Sequence, residues 1–394
     1  MDMAKIGATP AGGCNRQALS DLDYQGRQLF EQWCIDAGCS IERDAIGNVF
    51  ARRAAKKDLA PVMSGSHLDT QPTGGKFDGV YGVLAALEVV ETLNDHNVET
   101  DHPIDIVVWT NEEGSRFDCA MMGSAVWSGA WPIEKALALA DLEGVSVGDE
   151  LDRLKLAGDK PFDHNIKAAF ELHIEQGPIL EAQSIPVGIV TGVQHMCRYR
   201  MQIRGQETHA GPSPMSMRRD PMMSVGEFLN RTYEIANEHA PDGRVTFGYI
   251  NAQPGSPNTV PGLVELTLDL RHPDGEAYSA MQSKVEAALN ESVEKFANTV
   301  EYERVWEAPG VQFDEQCVSF VREGAQTAGL AAKEIVSGAG HDACNIDAVA
   351  PTSMIFVPCD DGLSHNEAEN ISSTQAANGA NVLLHAMLEA SRAG

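Results

Sequence analysis

Four stretches of the chain are apolar along their length and run into ionisable residues: PVMSGSH (61–67), IDIVVWTNEE (104–113), AAFELHIE (168–175) and TSMIFVP (352–358). Short runs without alternation are the pattern of strands buried on both faces. Between them Val80, Val83, Leu84, Leu87 and Val90 recur at three- and four-residue spacing after FDG, which predicts a helix. Strands alternating with helices define an α/β layer fold, a mostly parallel mixed sheet flanked by helices.

The pattern changes between 197 and 308. CRYRMQIRG reads as a strand, DPMMSVGEFLNRTYEIANEHA as a helix and RVTFGYINAQ as a strand. GLVELTLDLRH sets Val264, Leu266, Leu268 and Leu270 against Glu265, Thr267 and Asp269, the alternation of a half-buried antiparallel strand. A helix near 275–298 and the strand TVEYERVW complete a β-α-β-β-α-β order. The expectation is a discontinuous first domain (1–196 and 309–394) interrupted by a ferredoxin-like α+β domain (197–308), with linker-like points around Val193 and Pro309.

In open α/β sheets ligands sit beyond the carboxyl ends of the strands. Here those ends supply His67 and Asp69, Glu112 and Glu113, His173 and Glu175, and His365, with Asp78 in the loop before the first long helix. Imidazoles mixed with carboxylates are the ligand set of zinc or a similar divalent ion. Their number exceeds the need of one tetrahedral ion and suits a pair about 3.5–4 Å apart that share a carboxylate and promote hydrolysis. Adjacent residues on an extended chain point in opposite directions, so Glu112 and Glu113 are not equivalent: one is suited to bind metal and the other to handle protons. Asp69, two residues after His67, is placed to orient that imidazole with its carboxylate. Singly, each motif also has an ordinary reading. A lone histidine is often satisfied near a core, EEG is a common turn, HIE fits surface alternation, and LSHNE fits a helix cap.

Lys and Arg number 29 against 57 Asp and Glu, for a net charge of -28. That balance argues against nucleic acid and anionic membranes as partners, and obliges an anionic substrate to find a local cation. The eight cysteines, Cys14, Cys34, Cys39, Cys119, Cys197, Cys317, Cys344 and Cys359, form no C-x-x-C pair. No run is long and apolar enough for a membrane span, and the first residues lack the apolar core of a secretory signal, so a cytoplasmic location is expected.

The segments GSHLDTQPTGGKFDGVYGVLAALEVV, WTNEEGSRF, ELHIEQGPILE, GIVTGVQ, THAGPSPMSMRRD, LDLRHPD, SGAGHDAC and SMIFVPCDDGLSHNEAE together resemble one known group. It is the β-ureidopropionase and N-carbamoyl-L-amino acid amidohydrolase group, with allantoate amidohydrolases close by, in the aminoacylase and carboxypeptidase G-like superfamily of dinuclear metallohydrolases. The resemblance runs from about Gly7 to the end of the chain. It implies that the first domain is catalytic and that the inserted one is a lid and dimerisation domain. It implies two divalent ions, zinc first, with manganese, cobalt or nickel as alternatives. His67 and His173 would hold one ion, Glu113 and His365 the other, and Asp78 would bridge them. Glu112 falls on the general base that activates a metal-bound water, and Asp69 on the aspartate behind the ligands.

In the inserted domain His209 matches a histidine that reaches an active site across a homodimer interface and steadies the oxyanion. Arg271 matches a clamp for the substrate carboxylate, and Gln194, Asn258 and the backbone at Gly338 match further substrate contacts. The peptidase and aminoacylase branches usually carry an acid where His173 stands, so peptide hydrolysis is disfavoured. The implied reaction converts an N-carbamoyl amino acid, β or L-α, to the amino acid, CO2 and NH3. Allantoate hydrolysis is the first alternative and aminoacylase or dipeptidase activity the next. A non-catalytic, metal-stabilised binding protein comes last, because such a protein has no use for a free base at Glu112.

Overall fold

The computed structural model describes residues 1–392, which divide into two units, residues 1–192 with 312 onward, and residues 193–311. The first unit opens with strands β1 (Ser40–Arg43), β2 (Val49–Arg53), β3 (Val62–His67), β4 (Ile104–Trp109), β5 (Ala168–Ile174) and β6 (Val187–Val193). The chain then forms β7 (His195–Arg204), β8 (Thr208–His209), β9 (Arg244–Gln253), β10 (Thr259–Val260), β11 (Leu263–His272) and β12 (Thr299–Ala308). It closes with β13 (Val311–Gln312), β14 (Ala332–Ser337) and β15 (Thr352–Val357).

The large sheet has the order β1-β2-β4-β3-β5-β15-β6-β13, with β14 also beside β6. Its centre, β4-β3-β5-β15, is parallel, and these four strands are buried at every position, in keeping with their unbroken apolar runs. The sheet is more mixed than the sequence suggests, because β1 and β2 run antiparallel to their neighbours and β6 runs antiparallel to β15. β1 and β2 are joined by only the residues 44–48, too short for the crossover that a parallel pair requires. Helices Val80–Asp95 and Ser373–Arg392 pack on each other and on the sheet, and Glu315–Thr327 packs against Ser373–Arg392 and β15.

The second unit is a four-stranded antiparallel sheet in the order β12-β7-β11-β9 with helices Pro221–Glu238 and Gly275–Lys295. Val264, Leu266, Leu268 and Leu270 of β11 are buried with Phe228, Met281, Val285 and Leu289 of the helices, while Glu265, Thr267 and Asp269 on the other face stay partly exposed. Asp220 and Asp274 start the two helices by accepting from the backbone of Met222 and Ala277. Among the described residues no helix is long and apolar enough to cross a membrane.

Candidate active site

The parallel strands β4, β3, β5 and β15 end along one edge. His67 is the last residue of β3 and His173 the penultimate residue of β5, and both rings are buried. His67 Nδ1 donates to the main-chain carbonyl of Asp69 at 2.9 Å, and His173 Nδ1 donates to that of Ile174 at 2.9 Å. A carbonyl accepts only, so each ring carries a hydrogen on Nδ1 and turns Nε2 toward the site as the nitrogen that would hold an ion. The peptide nitrogen of Gly79 lies 3.2 Å from His173 Nε2.

Both Nε2 atoms face one oxygen of Asp78: His173 stands 3.1 Å and His67 3.9 Å from Oδ1. The second oxygen, Oδ2, lies 3.6 Å from His365 Nε2, which is in turn 3.4 Å from Glu113 Oε2. Thus one carboxylate faces two donor groups, His67 with His173 and Glu113 with His365, and the ligand atoms in each group lie within 4.8 Å of one another. Most of these spacings exceed a good hydrogen bond, as donors arranged around a central ion do. Glu112 belongs to neither group, yet its Oε2 is 3.4 Å from His67 Nε2. The donor set fits a pair of divalent ions.

Electrostatics point the same way. Burial, followed by the neighbouring acids Asp342, Glu113, Asp69 and Asp78, pushes the Glu112 carboxyl well above the usual range. Burial and the charges of Asp78 and Asp69 do the same to Glu113. Burial would also raise Asp78, but the hydrogen bond to His173 and the charges of His173, His67 and His365 outweigh it and hold Asp78 low. Burial would lower His173, and the partnership with Asp78 instead carries it up to about 9. Excess negative charge packed this tightly calls for cations, which two divalent ions would supply.

Asp69 acts differently from the sequence reading. Its main-chain carbonyl, not its carboxylate, holds His67, while the carboxylate accepts from the backbone N–H of Glu112 at 3.3 Å and of Glu113 at 3.1 Å. The side chain leaves the strand end towards the neighbouring β4 loop, so its oxygens meet that loop's amides. Glu175, grouped with the ligands in the sequence reading, is instead a cap: its oxygens accept from Ile179 and Leu180, each at 2.8 Å.

Sequence reasoning missed the residues that brace the ligands. Glu369 accepts from the amides of Phe77 and Asp78, each at 3.0 Å, and burial with the charge of Asp78 pushes its carboxyl up to about 7. A Cβ at Gly75 would fall 2.0 Å from that carboxylate, which explains one glycine of the loop. Gly79 has φ +66°, and a Cβ there would strike the His67 ring at 2.3 Å. Gln176 and Ser364 donate to Asp78 Oδ2 at 3.1 and 2.9 Å, and Gln71 donates to Glu113 Oε2 at 2.8 Å. Their only signal was adjacency to the ligand motifs, as in HIEQ, LSHNEAE and LDTQ.

Of the proposed substrate contacts, Gly338 lies in the first unit, in the loop after β14. The other three, Gln194, Asn258 and Arg271, lie in the second, as does His209. Arg271 pairs across β11 with Met196 of β7, two residues after the buried Gln194, and its guanidinium donates to both oxygens of Asp269. His209 and Asn258 are neighbours through the β8–β10 ladder, where Ala210 N donates to the Asn258 carbonyl at 2.8 Å. They extend from the opposite sheet end, where Arg204 pairs with Leu263. The ladder between the two ends is about 30 Å long at ~3.3 Å per residue.

A mixed α/β sheet that gathers these donors at its parallel strand ends defines a metallohydrolase of the dinuclear class. The chain belongs to Peptidase family M20/M25/M40, which matches residues 63–389. It is 46% identical over 391 residues to an N-carbamoyl-L-amino-acid amidohydrolase of Rhizobium meliloti, covering 99% of this chain and 94% of that one. It is 30% identical over 388 residues to an allantoate amidohydrolase of Escherichia coli (strain K12), covering 97% and 94%. Among solved structures, an amidase of the hydantoinase/carbamoylase family from Burkholderia multivorans matches with a TM-score of 0.96 and 49% identity, over 99% of this chain and 96% of that one.

Proposed function

We propose that the chain hydrolyses N-carbamoyl-L-amino acids to the amino acid, CO2 and NH3. The observation that carries this reading is Asp78 facing a histidine group with each oxygen, beside a glutamate that belongs to neither group. His67 and His173 would hold one ion, Glu113 and His365 a second, and Asp78 both; zinc suits the set best, with manganese, cobalt or nickel as substitutes. Bound there, the ions supply Lewis acidity to a carbonyl oxygen and lower the pKa of adjacent water. Glu112 takes the proton of the attacking water and returns it to the leaving nitrogen. Arg271, kept in plane by Asp269, grips the substrate carboxylate with its forked donors, helped by Gln194, Asn258 and the backbone at Gly338.

The second unit is then a lid and dimerisation domain. His209 and Arg271 occupy opposite ends of its sheet, which supports His209 serving a second copy's site, where it steadies the oxyanion. Mixing inactive Glu112→Gln with inactive His209→Ala is expected to restore activity, up to about a quarter of wild type after random exchange between dimers, since each mixed dimer holds one intact site. No recovery in a verified mixed dimer would place His209 in its own chain's site or in none.

The substrate is tested with metal-free protein reloaded with zinc, manganese, cobalt or nickel and offered N-carbamoyl-L- and D-α-amino acids, N-carbamoyl-β-alanine and allantoate. Turnover should vanish on chelation, return with metal, and be fastest on the L-α series, because the relative that acts on those by name is 46% identical and the allantoate relative 30%. Faster ammonia release from allantoate would favour that second reading, and silence on all of them with two ions bound would end both.

A further inference from the structure

Behind the glutamate pair lies a buried cluster that the proposed reaction does not use. Ser124 Oγ has three polar neighbours: the Met121 carbonyl at 3.1 Å, Asn345 Nδ2 at 3.0 Å and Asp342 Oδ1. A hydroxyl offers one hydrogen and two lone pairs. The Asn345 amide fills one lone pair. The Met121 carbonyl, which also accepts from Ala125 N–H at 3.0 Å, can only accept. All three contacts are hydrogen bonds at once when the remaining partner, Asp342, donates. Were Asp342 ionised, it and the carbonyl would compete for a single hydrogen. Its other oxygen, Oδ2, is buried without a hydrogen-bond partner, a placement far costlier for a carboxylate than for a neutral acid. Burial and the charge of Glu171 push this carboxyl well above its ordinary range, in agreement.

The cluster is linked to the glutamates through main chain. Met121 N–H donates to the Glu112 carbonyl at 2.7 Å, Met122 N–H to that of Asn111 at 3.2 Å, and Gly123 N–H to that of Thr110 at 2.8 Å. Asn345 also reaches the Met121 carbonyl at 3.4 Å. From the other side the Asp69 carboxylate accepts the N–H groups of Glu112 and Glu113. The turn that carries both glutamates is thus hung between Asp69 and the start of the Met122–Trp127 helix. We infer that Asp342, in its protonated form, is a positioning residue that locks this turn through Ser124 and Met121. The inference rests on the reading of Glu112 as the general base.

Asn in place of Asp342 keeps a donor where the carboxyl hydrogen stands, and Ala does not. Asp342→Ala and Ser124→Ala should lower kcat about 10- to 100-fold, as loss of a supporting partner does, with KM and metal content unchanged. Asp342→Asn should stay within about threefold of wild type. In the metal-free protein, amide exchange at Met121 should quicken in the two alanine variants and not in Asp342→Asn. Wild-type kcat and Met121 protection in Ser124→Ala and Asp342→Ala would overturn the positioning role, and an Asp342→Asn as impaired as Asp342→Ala would overturn the protonated form. If Asp342→Ala does not fold, Ser124→Ala and Asp342→Asn decide both points. Glu112→Gln is assayed alongside: inactive, with fully active alanine variants, it rejects this inference and spares the base assignment; active, it rejects the base assignment and this inference with it.

Discussion

Glu112→Gln is expected to lose turnover by about 10²- to 10⁴-fold, the contribution of a positioned general base, while still binding two ions and substrate. The exchange keeps the shape of the side chain and removes its ability to take a proton. Glu112 lies outside both donor groups, 3.4 Å from His67 Nε2, so its loss takes no ligand away. A second readout has the opposite sign. The folded carboxyl titrates well above its unfolded value, pushed there by burial and four neighbouring acids. The folded state therefore binds more protons than the unfolded state, and ionising Glu112 as pH rises towards neutrality costs stability. Gln cannot ionise, so the metal-free variant should melt higher than metal-free wild type at neutral pH. Near-normal kcat would sink the base assignment, and a drop in metal content would recast Glu112 as a ligand.

Asp78→Ala should be as damaging for a different reason. Among the described residues this carboxylate alone faces both donor groups, Oδ1 towards His67 and His173 and Oδ2 towards His365. Without it each group keeps only two ligands, and native mass spectrometry should find one ion or none where wild type holds two. Activity should fall to background and not return at raised metal concentration. His365→Ala is the control, since it removes a donor from one group only and should cost one ion. Two ions retained in Asp78→Ala would refute the bridging role.

Much of this protein can be read along the chain because the signals are local. An unbroken apolar run marks a strand covered on both faces, and the point where it meets ionisable residues marks its end; His67, Glu112, Glu113 and His173 were found that way, with His365 beyond the last run. The helix after FDG and the alternation of Leu266, Leu268 and Leu270 were equally plain, because period reports burial directly.

What needed the tertiary structure was every relation between atoms far apart in sequence. Asp69 and Glu175 look alike as acids that follow a histidine by two residues. One reaches across to the amides of Glu112 and Glu113, and the other turns back to cap a helix four residues on. Nothing local separates them, because the difference lies in which strand is the neighbour. Glu369 braces Phe77 and Asp78 across nearly 300 residues, and Asp342 meets Ser124 across more than 200. Such pairs follow from strand order and from the direction each loop takes off the sheet. Spacing along the chain carries neither, so composition and periodicity delivered the donors to one edge and only the packed sheet decided which atoms face one another.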